Sequence, residues 1–315
     1  MSPRVRVTAV LLAVQLAFAS LAIVGKVTLG AVPWPAMMAA RTLGALFVFV
    51  VAALVLREPM LPPPGLRLRA VVLGFLGVFA NQSAYLAGLR RTSAINATVL
   101  LATIPLFTAL FSVLSGREPW RPRFAAGSLV ALAGLMVVVR VERLTVAPEH
   151  LTGDALVVLN SMVYGLYLAL ARDIVLKHGA LALVRWVFAG GALFAVPVGL
   201  PTLITSMPTF SPRVAGALAY VVVVPTAFAY AANAWALQRV PSSVVSVFVY
   251  LQPILAAALA LSIGPPLARW LHVVIPAEGL TLRTVAGAAT VLVGVAIATA
   301  KGRPRSIAGT IIDRG

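Results

Sequence analysis

Apolar residues in this chain come in runs, separated by short clusters of arginine, proline and glycine. A hydrocarbon core about 30 Å thick needs about 20 apolar residues to cross it as a helix. Ten stretches of that size can be drawn, at 7–25, 34–56, 69–89, 94–115, 124–140, 153–171, 182–203, 213–237, 242–264 and 282–300. The connections left between them are roughly ten residues each, so no soluble domain fits. The pattern therefore predicts an all-α integral membrane protein with ten transmembrane helices. Residues 1–20 carry Arg4 and Arg6 ahead of an apolar run and Ala17-Phe18-Ala19-Ser20, features a signal peptide shares. Because the run continues through Val24 and nine more spans follow, the segment reads as a first membrane helix.

The pattern repeats. Arg91-Thr-Ser-Ala-Ile-Asn96, with Pro105 beyond it, recurs 148 positions later as Arg239-Val-Pro-Ser-Ser-Val244 with Pro253. Glu118, Arg123, Gly127 and Gly134 then recur at identical spacing as Glu278, Arg283, Gly287 and Gly294. The register between these blocks moves by the length of an insertion around Pro265–Ala277. Residues 1–145 are thus expected to form a first five-helix repeat, 146–302 a second, and 303–315 a basic cytoplasmic tail. Five is odd, so the two copies face opposite ways, an arrangement that gives two near-equivalent states, one open to each side.

Composition changes the picture little: 61% hydrophobic residues, 10% charged and a mean hydropathy of +1.02 describe a chain whose main solvent is lipid. Charge changes it more. A formal net charge of +17 would suggest nucleic acid in a soluble protein, but here the basic residues lie between apolar runs and act as topology signals, so no nucleic-acid partner is expected. The connections on the side of the two termini hold about twice as many basic residues as Lys26, Arg90, Arg91, Arg140, Arg143, Arg213, Arg269 and Arg283 opposite. Both termini are therefore expected in the cytoplasm. Lys26, Lys177 and Lys301 are the only lysines, and with abundant Ala, Gly and Pro this hints at a GC-rich bacterial genome, hence a bacterial inner membrane. The absence of cysteine excludes disulfides and thiolate chemistry.

Phe18-Ala19-Ser20 with Lys26 beyond it, Pro35 before Arg41, and the Ala94–Glu118 block with Pro105 and its second copy resemble the EamA family of the drug/metabolite transporter superfamily. One difference is Phe18, where the family often has tryptophan. The resemblance implies ten helices, cytoplasmic termini, and export or exchange of small metabolites through a cavity between the repeats.

Polar groups inside the spans should face the bundle or a wet cavity. Asn160, Tyr164 and Tyr167 on the sixth span fall at i, i+4 and i+7, as do Thr226, Tyr230 and Asn233 on the eighth. The third span offers Asn81, Gln82 and Tyr85, the ninth Ser246, Tyr250 and Gln252, the fourth Asn96 and Thr103, and the first Gln15 and Phe18. Together these predict a substrate cavity of amides, hydroxyls and rings without fixed charge. Individually, each fits an interhelical hydrogen bond of about 0.6 kcal/mol or an aromatic at the membrane interface equally well. Pro105 and Pro253 would serve as hinges or as plain kinks.

Glu58, Glu118, Glu142, Glu149, Asp154, Asp173, Glu278 and Asp313 all fall in connections, at span edges or in the tail. With no carboxylate or histidine at mid-membrane, proton-driven antiport is disfavoured and facilitated movement of a neutral or zwitterionic solute, such as an amino acid, is favoured. Lys26, Arg41, Arg172 and Arg185 lie in or at the edges of spans. They either snorkel to headgroups or, for Arg41 and Arg185, contact an anionic solute, which would make the protein an exchanger of organic anions or phosphorylated metabolites. Gly127 with Gly134 and Gly287 with Gly294 suit close packing of the fifth and tenth spans, within the chain or in a homodimer. Arg269, Trp270 and His272 in the insertion suit an interfacial element. No phosphate loop, zinc spacing or nucleophile elbow occurs, so neither cofactor, metal nor catalytic residue is expected; a non-transporting membrane scaffold is the remaining rival.

Overall fold

A computed structural model describes residues 2–92, 94–138, 148–262 and 282–300, and among these every regular element is helical. Arg140, Glu142, Arg143, the insertion at 265–277, Glu278 and the tail at 303–315 lie outside the described residues, as do the side chains of Lys26, Asn96 and Glu149. In chain order the helices are α1 (Pro3–Ala31), α2 (Trp34–Val55), α3 (Pro64–Leu89), α4 (Ala94–Leu101), α5 (Ile104–Leu114) and α6 (Pro122–Val138), followed by α7 (His150–His178), α8 (Ala180–Thr209), α9 (Pro212–Leu237), α10 (Ser242–Leu259) and α11 (Leu282–Thr299). Seven of them, α1 to α3 and α7 to α10, are long and apolar enough to cross a membrane. Shorter apolar helices cover 99–114, α6 and most of α11. This is a multi-pass membrane protein.

Local sequence explains how the helices begin. Ser2 and Ser211 each accept a hydrogen bond from a first-turn N–H, Val5 at 3.4 Å and Val214 at 3.3 Å, with proline at the following position. Proline there loses nothing, because that N–H has no partner in the helix. Three helices carry a wider π-helical turn, at Leu21–Gly25 in α1, Phe75–Ala80 in α3 and Val223–Phe228 in α9. Such turns leave backbone carbonyls for side chains to use.

Large apolar side chains such as Phe47, Leu68, Leu129, Leu193 and Leu292 point outward, where lipid would cover them. Inside, glycine sets the close contacts. A Cβ on Gly134 would lie 2.7 Å from the Val291 nitrogen and 2.8 Å from the Gly287 oxygen, and Gly127 meets Gly294 and Ala298 in the same way. Helices α6 and α11 therefore run antiparallel with their glycine rows face to face within one chain. A homodimer would have to use other faces of these helices. Gly74 meets Gly190 and Gly191 where α3 crosses α8, and Gly199 meets the Pro35 carbonyl where α8 crosses α2.

The expected proline hinges sit just after breaks in helical geometry. Pro105 opens α5 after the turn at Ala102–Thr103 that ends α4, and Pro253 follows a tight 3-10 turn at Phe248–Leu251 inside α10.

Candidate functional site

Helices α1, α2, α3, α7, α9 and α10, together with the junction of α4 and α5, surround a cavity enclosing about 670 Å³ between its lining atoms, its open mouth included. Gln15 and Phe18 reach it from α1, Arg41 from α2, and Asn81, Gln82 and Tyr85 from just beyond the π-turn of α3. Asn160 and Tyr164 enter from α7, Tyr230 and Asn233 from just beyond the π-turn of α9, and Ser246 and Gln252 from either side of the 3-10 turn of α10.

Hydrogen bonds tie these groups across helices. Gln252 Nε2 donates to Gln15 Oε1 at 2.7 Å, joining α10 to α1, and Asn233 Nδ2 donates to the Tyr164 hydroxyl at 3.0 Å, joining α9 to α7. The Tyr230 hydroxyl is shared between the Gly77 carbonyl at 2.9 Å, within the π-turn of α3, and Asn81 Oδ1 at 3.1 Å. Asn160 Nδ2 donates to the Asn81 carbonyl at 2.8 Å. Phe18 and Tyr164 flank the Tyr230 ring edge-on, with centroids at 6.4 and 6.5 Å.

Other polar atoms make no well-formed hydrogen bond with any described residue. These are both amide atoms of Gln82, a residue 1% exposed that lies beside Tyr230, and Oδ1 of Asn233, all buried. Unpaired buried polar groups cost about 1–3 kcal/mol each, so they mark places where a ligand or water would complete the site.

The cavity is not free of fixed charge. Arg41, 3% exposed, lines it and donates from Nε to Thr226 Oγ1 at 2.9 Å, with no carboxylate in ion-pair distance among the described residues. It does not snorkel because it lies two turns inside α2, on the face turned toward α9. Arg185 is elsewhere: at 2% exposure it binds the α2–α3 connection through Glu58 at 3.3 Å, the Met60 carbonyl at 3.3 Å and the Pro59 carbonyl. It is therefore not available to a solute in the cavity.

Several other candidate residues also lie outside the lining. Thr103 returns its hydroxyl to the Leu100 carbonyl at 2.6 Å. Tyr167 packs on Gly77 and stacks on Tyr164 with centroids 5.8 Å apart, and Tyr250 is fully buried. Pro105 is buried at the start of α5, and Pro253 is half-buried. Conversely, Leu21, Leu101, Ile104, Leu168, Val245 and Val249 line the cavity and went unread. The signal was adjacency: Leu168 lies one turn beyond Tyr164, and Val249 three residues beyond Ser246.

Polar contacts also close the end of the bundle that contains the α2–α3, α5–α6 and α7–α8 connections. Asp173 accepts from Arg117 at 2.7 and 3.0 Å and pairs with Arg69 at 3.5 Å. Glu118, buried, accepts from the Ser243 N–H at 3.2 Å and from its hydroxyl, and so caps the first turn of α10. At the opposite end Thr92 bonds Asp154, and Arg283 reaches the Val137 carbonyl at 3.0 Å.

A model of the EamA-like transporter family matches residues 7–140 and again 151–300. Among curated proteins, one of Archaeoglobus fulgidus named "Uncharacterized transporter" is 30% identical over 190 residues, 60% of this chain and 65% of that protein. One of Streptantibioticus cattleyicolor, named "Probable terminal-alkyne amino-acid exporter", is 26% identical over 204 residues, 62% of this chain and 66% of that protein. The chain thus spans just under two thirds of the length of these two relatives. A solved structure described as "Crystal structure of protein" superposes with a TM-score of 0.74 over 93% of this chain and 96% of that one. At 21% identity the likeness is one of fold.

Proposed function

The chain belongs to the EamA-like transporter family, proteins that move solutes rather than transform them, and from that premise we propose that it carries a small neutral or zwitterionic metabolite, such as an amino acid, across a bacterial inner membrane. The carrying observation is the cavity itself. Six membrane-long helices turn amides, hydroxyls and rings toward one enclosed space, and Gln82 and Asn233 keep polar atoms there that no described residue pairs. A scaffold would satisfy those atoms within the protein.

In this reading residues 1–145 and 146–302 are two inverted five-helix repeats, ten membrane helices in all, with both termini cytoplasmic. The antiparallel contact of α6 and α11 supports it. Gly127 meets Gly294 and Gly134 meets Gly287, the exchange of equivalent positions that a two-fold axis in the membrane plane would produce. Alternating access would then rock one repeat against the other, with the breaks before Pro105 and Pro253 as hinges. Substrate contacts fall to Gln15, Phe18, Asn81, Gln82, Tyr85, Asn160, Tyr164, Tyr230, Asn233, Ser246 and Gln252. The relative named as an amino-acid exporter supports that solute class.

The test is uptake of labelled amino acids, nucleosides and organic anions into proteoliposomes, comparing wild type with Gln82→Ala and with Asn160→Ala/Tyr164→Ala. Flux of a zwitterion that both variants lose is the expected result. Flux of organic anions alone would replace the reading with an anion exchanger, and no flux of any solute would return the protein to a scaffold.

A further inference from the structure

Arg41 is a buried cation that the described protein leaves half satisfied. Thr226 donates its own proton to the Val221 carbonyl at 2.7 Å, a bond five residues back along the π-turn of α9, so the hydroxyl meets Arg41 Nε with a lone pair. Nε is thereby occupied, and the guanidinium is steadied by α9. The terminal Nη1 and Nη2 atoms make no hydrogen bond or ion pair with any described residue, on a side chain that lines the cavity. An uncompensated charge in a membrane interior is expensive. No aspartate or glutamate among the described residues lines the cavity to offset it. The group that fits two parallel N–H donors at the end of a guanidinium is a carboxylate, and it has to arrive with the solute.

Two of the other unpaired atoms are of complementary kind. Among the described residues Gln82 Oε1 and Asn233 Oδ1 are acceptors without donors, beside the equally unpaired Gln82 Nε2, in a cavity that also holds the edge-packed rings of Phe18, Tyr164 and Tyr230. Carbonyl oxygens and ring faces suit an ammonium group. We infer that the cavity selects an α-amino carboxylate and binds it in one orientation, its carboxylate forked on Arg41 and its ammonium against Gln82 and Asn233. This deepens the transporter reading above and rests on it. Thr226 acts as a positioning residue, through Arg41 rather than on the solute.

The experiment is counterflow in proteoliposomes with a labelled mixture of the common amino acids. The best-carried amino acid is then compared with its amide, which lacks the carboxylate, its deaminated acid, which lacks the ammonium, and inorganic phosphate. Wild type should carry the amino acid with at least about tenfold preference over all three, the loss expected when a charge-assisted pair goes unmade. Arg41→Gln should raise KM for the amino acid by about tenfold or more while erasing its preference over the amide, and Arg41→Lys should recover part of both. Thr226→Val should raise KM and leave kcat, with Thr226→Ser restoring it.

Equal transport of the amino acid by Arg41→Gln would overturn the inference, as would a wild type that prefers the deaminated acid or phosphate. Flux of nucleosides without amino acids would overturn it while leaving the protein a transporter. Absence of any flux would overturn the transporter reading itself. Should Arg41→Gln fail to fold, the wild-type order of amino acid over amide and deaminated acid, read as thermal stabilisation by each, decides the matter.

Discussion

Arg41 and Arg185 are the same side chain at nearly the same burial, 3% and 2% exposed, in two different settings. Arg185 stands at the start of α8 beneath the α2–α3 connection, where the chain leaves α2 with Arg57 in the left-handed region at φ 54 and so turns Glu58 back toward the bundle. There a carboxylate and two carbonyls accept its donors, and the Trp186 ring lies 5.9 Å from the guanidinium, its Nε1 sharing the Met60 carbonyl. Arg41 stands on a cavity wall beside Tyr85 and Tyr230, and among the described residues only the Thr226 hydroxyl accepts a hydrogen bond from it. Burial alone therefore says little about what a membrane arginine does. What separates a structural clamp from a site residue is whether the protein itself completes the hydrogen bonding, and the two should respond oppositely when the charge is removed.

The largest effect is expected at the clamp. Arg185→Met removes the donors but leaves the Pro59 and Met60 carbonyls and the Glu58 carboxylate behind. Breaking a fully buried pair costs about 3–5 kcal/mol, and partial exposure of Glu58 brings the expectation to the low end, about 3 kcal/mol. The thermal midpoint in detergent should fall by several degrees, while KM of the folded fraction stays at the wild-type value. A raised KM with unchanged midpoint would put Arg185 in contact with solute and collapse the distinction.

At the cavity the sign should reverse. Arg41→Met removes a charge that no described residue neutralises, so the solute-free midpoint should be no lower than wild type, since replacing uncompensated buried charge by apolar volume is neutral or stabilising. Solute at a hundredfold excess over its Kd stabilises a protein by about 2.7 kcal/mol, and with affinity weakened about tenfold or more the variant should lose about half of that rise or more. A scan with and without the amino acid reads both. A midpoint that drops as far as in Arg185→Met would make Arg41 a second structural clamp.

Much of this geometry was legible in the sequence, and the exceptions have local causes. Runs of apolar residues marked the helices, and the i, i+4 spacing brought Asn81 with Tyr85, and Asn160 with Tyr164, onto common faces that the fold turns toward one cavity. Tyr167 carried the same stripe three residues further, yet it turns off the lining to pack on Gly77. Tyr250 was expected beside Ser246, but the intervening turn at Phe248–Leu251 is a 3-10 turn of about 120° per residue rather than about 100°, which swings it away. The partners of the two arginines could not be read at all. Glu58 lies 127 positions from Arg185, and Thr226 lies 185 positions from Arg41, pairings made only by how the helices cross.

The smallest effect is expected where arginines meet an acid in the open. Asp173 ties α7 to Arg117, on the connection after α5, and to Arg69 at the start of α3, but it is about a third exposed and Arg69 is half exposed. Exposed pairs of this kind contribute about 0.2–1 kcal/mol, so Asp173→Asn should shift the thermal midpoint by no more than about a degree or two. Its larger consequence concerns which side is closed. Under the proposed alternating access, these bonds hold elements of both repeats together at one end, and even about 0.5 kcal/mol would roughly double the share of the state open there. The chain has no cysteine, so Ser246→Cys supplies a single thiol on the cavity wall, and its rate of modification by a membrane-impermeant reagent from each face measures that share directly. Asp173→Asn should raise the rate from the face nearer Asp173 by about twofold and lower the other. Equal rates in both backgrounds would make the Asp173 contacts, like those of Arg185, part of the frame rather than of its movement.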